Sequence, residues 1–283
     1  MDPRPIGVFD SGVGGLTVAR ALMDYLPSES ILYYGDTARG PYGPRSREDV
    51  LAITAEIADT LVAEGVKMIV VACNSASSAG VDHIRDTHPD VPLIEVWWPT
   101  ARAAVHATRN GNIGVIGTQL TIDSRMYEWA LRSTQENVHI FSQACPLFVE
   151  FVERGEVTGP RIVALAEEYL EPLKARDIDT LILGCTHYPL LRAVVQTVMG
   201  RDVVLIESDQ EIAIEVFSEL KSRDAFRPSE AAPKHRFLAS GDPEAFRELG
   251  ARFLGPEMAG VEGHPVGGGW VESKPFPAKR KGA

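Results

Sequence analysis

The 283 residues carry 28 Lys and Arg against 39 Asp and Glu, a formal net charge of −11, with 45% hydrophobic and 24% charged residues. That balance is ordinary for a globular enzyme with a sizeable core, and its acidity argues against nucleic acid or an anionic membrane surface as the main partner. No apolar run approaches the ~20 residues that span a bilayer, and three widely spaced cysteines, Cys73, Cys145 and Cys185, without a CxxC pair, exclude a disulfide framework and a zinc cluster.

Met1-Asp2-Pro3-Arg4-Pro5 runs straight into a strand-like segment, Ile6–Asp10, with no charged leader and apolar stretch. A cytoplasmic protein with free thiols is expected. Gly12-Val13-Gly14-Gly15 then turns the chain into a helix through Leu26. It lacks the full GxGxxG and Walker patterns, so it reads as a tight turn that lets the backbone approach a small ligand. Ile31–Gly35 is a second strand. Ser46-Arg47-Glu48-Asp49 resembles a capping box with Asp49 in the usual place of Glu or Gln. Val50, Ile53, Ile57, Leu61 and Val62 follow at helical spacing, and Gly65 lies just past the helix end. Met68–Ala72 is an apolar run of strand length, suited to a strand covered on both faces.

Pro92–Val96, Ile113–Gly117, Val138–Phe141, Thr180–Gly184 and Val203–Ile206 continue the strand rhythm. Helical stretches such as Ser124–Arg132, Ile162–Lys174 and Leu190–Met199 lie between them. Strands alternating with helices predict βαβ units and mainly parallel sheets. An internal echo is visible as well. Met68-Ile69-Val70-Val71-Ala72-Cys73-Asn74-Ser75 matches Thr180-Leu181-Ile182-Leu183-Gly184-Cys185-Thr186-His187 in pattern: an apolar strand, a cysteine, polar residues, then a helix. Ile6-Gly7-Val8-Phe9-Asp10-Ser11 matches Ile113-Gly114-Val115-Ile116-Gly117-Thr118 in the same way. Two similar α/β halves facing each other account for both echoes. The last stretch, 263–283, is rich in Gly, Pro and Lys and reads as a flexible tail.

Ligands of open parallel sheets bind beyond the carboxyl ends of the strands. Four polar motifs stand at such ends: Asp10-Ser11, Asp36-Thr37, Cys73-Asn74-Ser75 and Cys185-Thr186-His187. Two cysteines at equivalent positions, each followed by hydrogen-bonding residues, point to a pair across a shared cleft. A helix N-terminus beside each is expected to lower the thiol pKa from its ordinary ~8.5. A thiol near neutrality serves as acid or as base. Cys145, next to Pro146, reads as a packed cysteine. Lys67 and Lys174 have no context marking a pyridoxal-phosphate Schiff base. Asp10 and His187, taken singly, read equally as caps or packed polar residues.

Gly7-Val8-Phe9-Asp10-Ser11-Gly12-Val13-Gly14-Gly15-Leu16-Thr17 resembles the opening motif of the glutamate racemases. Tyr34-Gly35-Asp36-Thr37-Ala38-Arg39-Gly40-Pro41-Tyr42-Gly43 resembles their second motif. Val71-Ala72-Cys73-Asn74-Ser75-Ala76-Ser77 and Leu183-Gly184-Cys185-Thr186-His187-Tyr188-Pro189-Leu190 resemble their two cysteine motifs. The resemblance covers roughly residues 5 to 220, in the family's order. It implies two α/β domains with the active site in the cleft between them, here 1–97 with about 208–262, and 98–207. It implies Cys73 and Cys185 as the catalytic pair, with Asp10, His187 and Glu153 assisting. Asp10, Ser11, Tyr42, Gly43, Asn74, Ser75, Thr118, Thr121, Thr186 and His187 would hold L- or D-glutamate. No cofactor and no metal are implied.

By the same resemblance, Cys73 takes the α-proton from D-glutamate and Cys185 from L-glutamate. Asp10 either accepts a proton or holds the substrate ammonium, and no arginine is assigned to the carboxylates. The family implies a homodimer that supplies D-glutamate for peptidoglycan, and some members also bind DNA gyrase. Ser75 stands where threonine is common. Trp97-Trp98-Pro99 stands where many members have Glu-Pro, and reads either as an interface anchor or as burial within the chain. An aspartate racemase would share the fold and both thiols, but the wording of the Asp36–Gly43 motif favours glutamate. A non-catalytic gyrase-binding protein would need no thiol at both strand ends.

Overall fold

The structure, a computed structural model, describes residues 1–134, 137–228, 232–258 and 260–266. The chain passes through β1 (Ile6–Asp10), α1 (Leu16–Tyr25), β2 (Ile31–Gly35), α2 (Arg47–Ala63), β3 (Met68–Val71), α3 (Asn74–Ala79), α4 (Asp82–Thr87) and β4 (Leu93–Glu95). It then crosses to α5 (Trp97–Ala107), β5 (Asn112–Gly117), α6 (Gln119–Asp123), α7 (Met126–Thr134), β6 (His139–Ala144), α8 (Leu147–Glu153), α9 (Pro160–Lys174), β7 (Thr180–Gly184), α10 (Arg192–Met199) and β8 (Val204–Ile206). Finally α11 (Ser208–Ser222), β9 (Arg236–Ala239), α12 (Pro243–Leu254) and β10 (Glu262–Gly263) return to the first sheet. No described helix is long and apolar enough to cross a membrane.

Among the described residues the strands form two sheets, ordered β10-β9-β2-β1-β3-β4 and β6-β5-β7-β8. Every pairing is parallel. The order β2-β1-β3-β4 repeats as β6-β5-β7-β8, so the echo seen in the sequence is one of topology: β3, which leads to Cys73, and β7, which leads to Cys185, hold the same place. The α/β reading with parallel sheets flanked by helices is therefore correct.

Alternation along the strands explains the continuous apolar runs. In the first sheet Ile6, Val8, Tyr33, Met68 and Val70 pack with residues of α1, α11 and α12 on one face. Phe9, Leu32, Tyr34, Ile69 and Val71 pack with α2, α3 and α4 on the other. In the second sheet Ile116, Leu181 and Leu183 face α8, α9 and α10, while Ile113, Val115 and Ile182 face α5 and α7. Ser46 caps α2 by accepting from the Asp49 amide at 3.1 Å, as the sequence suggested.

Four local readings need correction. The helix expected from Ser124 begins at Met126, because Ser124 caps a turn and Arg125 takes a positive φ of 55°. Leu190 belongs to a short 3₁₀ turn, Tyr188–Leu191, that precedes α10, so no α-helix directly follows the Cys185 motif. Strand β9 went unread; Phe237-Leu238-Ala239 is a short run that gains stability only from pairing with β2. Within the segment expected as a tail, Gly263 pairs with Ala239 and the His264 amide donates to the Ala239 carbonyl at 2.8 Å. Residues 267–283 lie outside the described residues. Trp97 is buried within the chain, stacked on Trp98 at 4.9 Å and donating through its indole N–H to Glu95 at 3.0 Å.

Lys67, just before β3, fastens the returning chain to the first sheet. Its buried ammonium lies 2.6 Å from Glu29 Oε2 and donates to the carbonyls of Asp2 and Ala225 at 3.0 and 2.8 Å. Removing one partner of such a pair strands the other charge. Lys67→Ala is expected to lower the unfolding free energy by about 3–5 kcal/mol, read from the urea midpoint, whereas joint Lys67→Met and Glu29→Leu should recover most of that loss.

Candidate active site

The carboxyl ends of the two sheets meet at a narrow cleft. The first half contributes Ser11, Pro41, Tyr42, Gly43, Cys73, Asn74 and Ser75; the second contributes Thr118, Val149, Cys185, Thr186 and His187. Of the residues that the family resemblance assigned to the site, Asp10, Thr121 and Glu153 do not line it, and neither does the strand-end pair Asp36-Thr37. The first three stand one contact behind, as described below.

Cys73 ends β3 and caps α3, its sulfur accepting from the Ala76 amide at 3.5 Å. The helix-end amide is present as expected, but its effect is overridden. Burial, followed by the charge of Asp10, pushes the Cys73 thiol well above its ordinary range, and the amides of Ala76 and Ser11 offset this only in part. The expected lowering of this thiol is therefore reversed, and Cys73 rests as a thiol. Asp10 is fully buried at the end of β1, where it accepts from the Gly12 amide at 3.2 Å and from the Thr186 hydroxyl of the opposite half at 3.4 Å.

Cys185 ends β7 with a different neighbour. Its sulfur lies 3.8 Å from His187 Nδ1, and His187 Nε2 lies 3.3 Å from Glu153 Oε1, at the end of α8. Burial pulls the imidazole down, but the Cys185 sulfur and the Glu153 carboxylate outweigh it and hold His187 well above the ordinary histidine range. The two thiols thus share a topological place and differ in partner, a carboxylate for one and an imidazole–carboxylate pair for the other. Cys145 is buried away from the cleft against α8 and α9, a packed cysteine as read.

A seam of short polar contacts closes the cleft. The Ser75 and Thr118 hydroxyls meet at 2.9 Å across the halves, and Thr118 continues to Thr121 at 3.0 Å while capping α6. Ser75 thus keeps the hydroxyl function of the more common threonine. The Tyr42 hydroxyl donates to Asp36 at 2.5 Å, and Asp36 also accepts from Arg39 and from Ser240 of the returning chain. Gly14 has a use that the sequence did not show. A Cβ there would sit 2.5 Å from His187 Nδ1 and against the Thr186 hydroxyl. The glycine turn therefore admits the other half of the protein.

Sequence reading missed Pro41 and Val149, apolar walls with no chemical signature, and Tyr127, whose hydroxyl donates to Asn74 at 2.6 Å. Only proximity in space marks them.

A family model described as Asp/Glu/Hydantoin racemase matches residues 16–213. The chain is 52% identical over 272 residues to a curated glutamate racemase of Beutenbergia cavernae, covering 92% of this chain and 93% of that one. It is similar in structure to a glutamate racemase isoform of Bacillus anthracis, with a TM-score of 0.88, 42% identity and coverage of 94% and 98%. It is also similar to the glutamate racemase of Francisella tularensis in complex with D-glutamate, with a TM-score of 0.87, 36% identity and coverage of 93% and 98%.

The raised pKa of His187 has a consequence for stability. A histidine whose folded value exceeds its unfolded ~6.5 adds stability in full below that pH and loses it as pH climbs through the folded value. Urea midpoints are therefore expected to fall above about pH 6.5, and to fall less in Glu153→Gln, where the imidazolium has lost its carboxylate. Equal slopes for the two proteins would show that Glu153 does not tune His187.

Proposed function

The chain belongs to the Asp/Glu/Hydantoin racemase family, and from that premise we propose that it interconverts L- and D-glutamate with Cys73 and Cys185 as the two acid–base groups. The observation that carries this reading is that both thiols line one cleft from equivalent strands of opposite halves. Inverting a carbon centre without delocalising its charge elsewhere requires one proton acceptor and one proton donor on opposite faces.

In the L-to-D direction, Cys185 as thiolate takes the α-proton, and the Cys73 thiol delivers its own proton to the other face. The turnover leaves Cys185 protonated and Cys73 as thiolate. Proton exchange with solvent, with His187–Glu153 on one side and Asp10 on the other, restores the starting state. The thiol form of Cys73 at rest suits it to the donor role. In the reverse direction Cys73 must first lose its proton. The substrate ammonium beside Asp10 offsets the carboxylate charge that disfavours the thiolate, so binding itself makes that step easier. Hydroxyl, amide and backbone N–H groups around the cleft hold the carboxylates and stabilise charge developing at Cα. The family resemblance further supports a cytoplasmic homodimer that supplies D-glutamate for peptidoglycan.

L-glutamate incubated with the protein in deuterated water should lose optical rotation and gain deuterium at Cα. Cys73→Ala and Cys185→Ala should each lower racemisation by at least about 100-fold, with residual exchange confined to the enantiomer whose face keeps its thiol. L-aspartate, one methylene shorter, should be turned over at least about tenfold less well. Full racemisation in either cysteine variant would sink the two-thiol scheme.

A further inference from the structure

Asn74 follows Cys73, is 3% exposed and lines the cleft. Its amide oxygen accepts a 2.6 Å hydrogen bond from the Tyr127 hydroxyl. Its amide nitrogen, also buried, has no hydrogen-bond partner among the described residues. A buried donor left unpaired carries the full cost of its desolvation, which marks it as the place for an acceptor on a ligand. An amide nitrogen can only donate. It suits a carboxylate oxygen and not an ammonium group.

Tyr127 decides which end of that amide faces the cleft. It sits on α7, in the half that carries Cys185, 53 positions from Asn74. Its ring packs against the end of β7, where a Cβ on Gly184 would come within 3.1 Å of the ring and 2.7 Å of the Ile116 carbonyl. The glycine before Cys185 therefore makes room for this ring. Burial raises the phenol well above its ordinary value, the Thr100 hydroxyl opposing this only in part and Cys185 adding to it. Tyr127 stays protonated and remains a donor. In the arrangement seen, the phenol O–H is spent on the Asn74 oxygen, and the amide nitrogen on the other side is left without a partner among the described residues.

Resting on the reading of the cleft as a glutamate site, we infer that Tyr127 is a positioning residue: its hydrogen bond to Asn74, made from the opposite half, aims the amide nitrogen at a substrate carboxylate. The amide is oriented for binding only when the two halves are together. Closure and carboxylate recognition are thereby one event.

The test is a double-mutant cycle of Tyr127→Phe, Asn74→Ala and their combination, read by D-glutamate binding in calorimetry, by KM and kcat, and by the unfolding midpoint. Tyr127→Phe keeps the ring and removes one oxygen. It should raise Kd and KM by about tenfold, the worth of one hydrogen bond, and leave kcat within about threefold. In the Asn74→Ala background it should have no further effect on binding. Equal losses in both backgrounds would show that Tyr127 acts by packing alone and would overturn the inference, as would unchanged binding by Tyr127→Phe. Asn74→Asp covers the case in which Tyr127→Phe fails to fold. It keeps an acceptor for Tyr127 and sets a carboxylate oxygen where the donor was, so glutamate binding should weaken by at least about 100-fold; unchanged binding would overturn the inference too. If the unaltered protein bound no glutamate, the substrate reading would fail and this inference with it. Normal binding with an additive cycle would overturn the inference alone.

Discussion

Two thiols can act on opposite faces of one carbon only if the strands that carry them aim their carboxyl ends at each other. Parallel sheets provide aligned ends, because every strand in a sheet finishes on the same side. The chain sets two such sheets end to end, with the strand order β2-β1-β3-β4 repeated as β6-β5-β7-β8. The rest of the site follows from that arrangement. The ends must come close enough for small polar groups to meet, so the approach is made of glycine and hydroxyl side chains: Gly14 against Thr186 and His187, Ser75 against Thr118, and Thr186 against Asp10. A larger residue at Gly14 would force the halves apart beside the cleft that both cysteines line.

This closeness sets the electrostatics as well. The protein is acidic overall, and among the described residues no Lys or Arg lines the cleft. Apart from His187, a dicarboxylic substrate would then meet neutral donors: amide N–H groups, hydroxyls and the Asn74 amide. In water such donors are weak partners for an anion. In a closed site of low dielectric they are stronger, because they are already oriented and no solvent competes with them. The same burial raises the Cys73 thiol and is opposed at His187 only by its charged neighbours. Burial strengthens recognition and resists charge on the groups that do the chemistry, so each thiol needs a titratable partner beside it.

Much of the frame was legible because burial writes itself into local sequence. Met68-Ile69-Val70-Val71-Ala72 reads as a strand covered on both faces, and Gly65 ahead of it marks the end of the preceding helix. The polar residues at strand ends were legible for the same reason, since parallel sheets offer few other places for them. Contacts between halves were not legible. Gly14 reads as a turn whether it faces a ligand or His187, and Tyr127 reads as an ordinary apolar position of α7, because its hydroxyl partner lies 53 residues away. Strand β9 was missed because Phe237-Leu238-Ala239 is too short to declare itself without β2 beside it. The helix expected after Cys185 failed on Pro189, which starts a 3₁₀ turn instead. The dipole argument failed at Cys73 because a sequence does not report how completely a group is buried; the opposing charge of Asp10, at the strand end in the same half, was legible.

The unlike surroundings of the two cysteines bear on how such an enzyme must behave. L- and D-glutamate have equal free energies in water, so an enzyme that interconverts them must show the same kcat/KM in both directions. Asp10 beside Cys73 and the His187–Glu153 pair beside Cys185 cannot treat the two enantiomers identically. The asymmetry would then appear as matched differences in kcat and KM, the enantiomer with the larger kcat having the larger KM by the same factor. On the two-thiol scheme proposed above, the enantiomer deprotonated by Cys73 would meet a thiol that has to give up its proton first. Its ground-state complex, with the ammonium beside Asp10, is the one in which binding offsets that demand. Duplication of a fold thus explains the shared geometry of the two thiols. Divergence of one neighbour on each side explains how a near-symmetric site can begin each direction from a different protonation state.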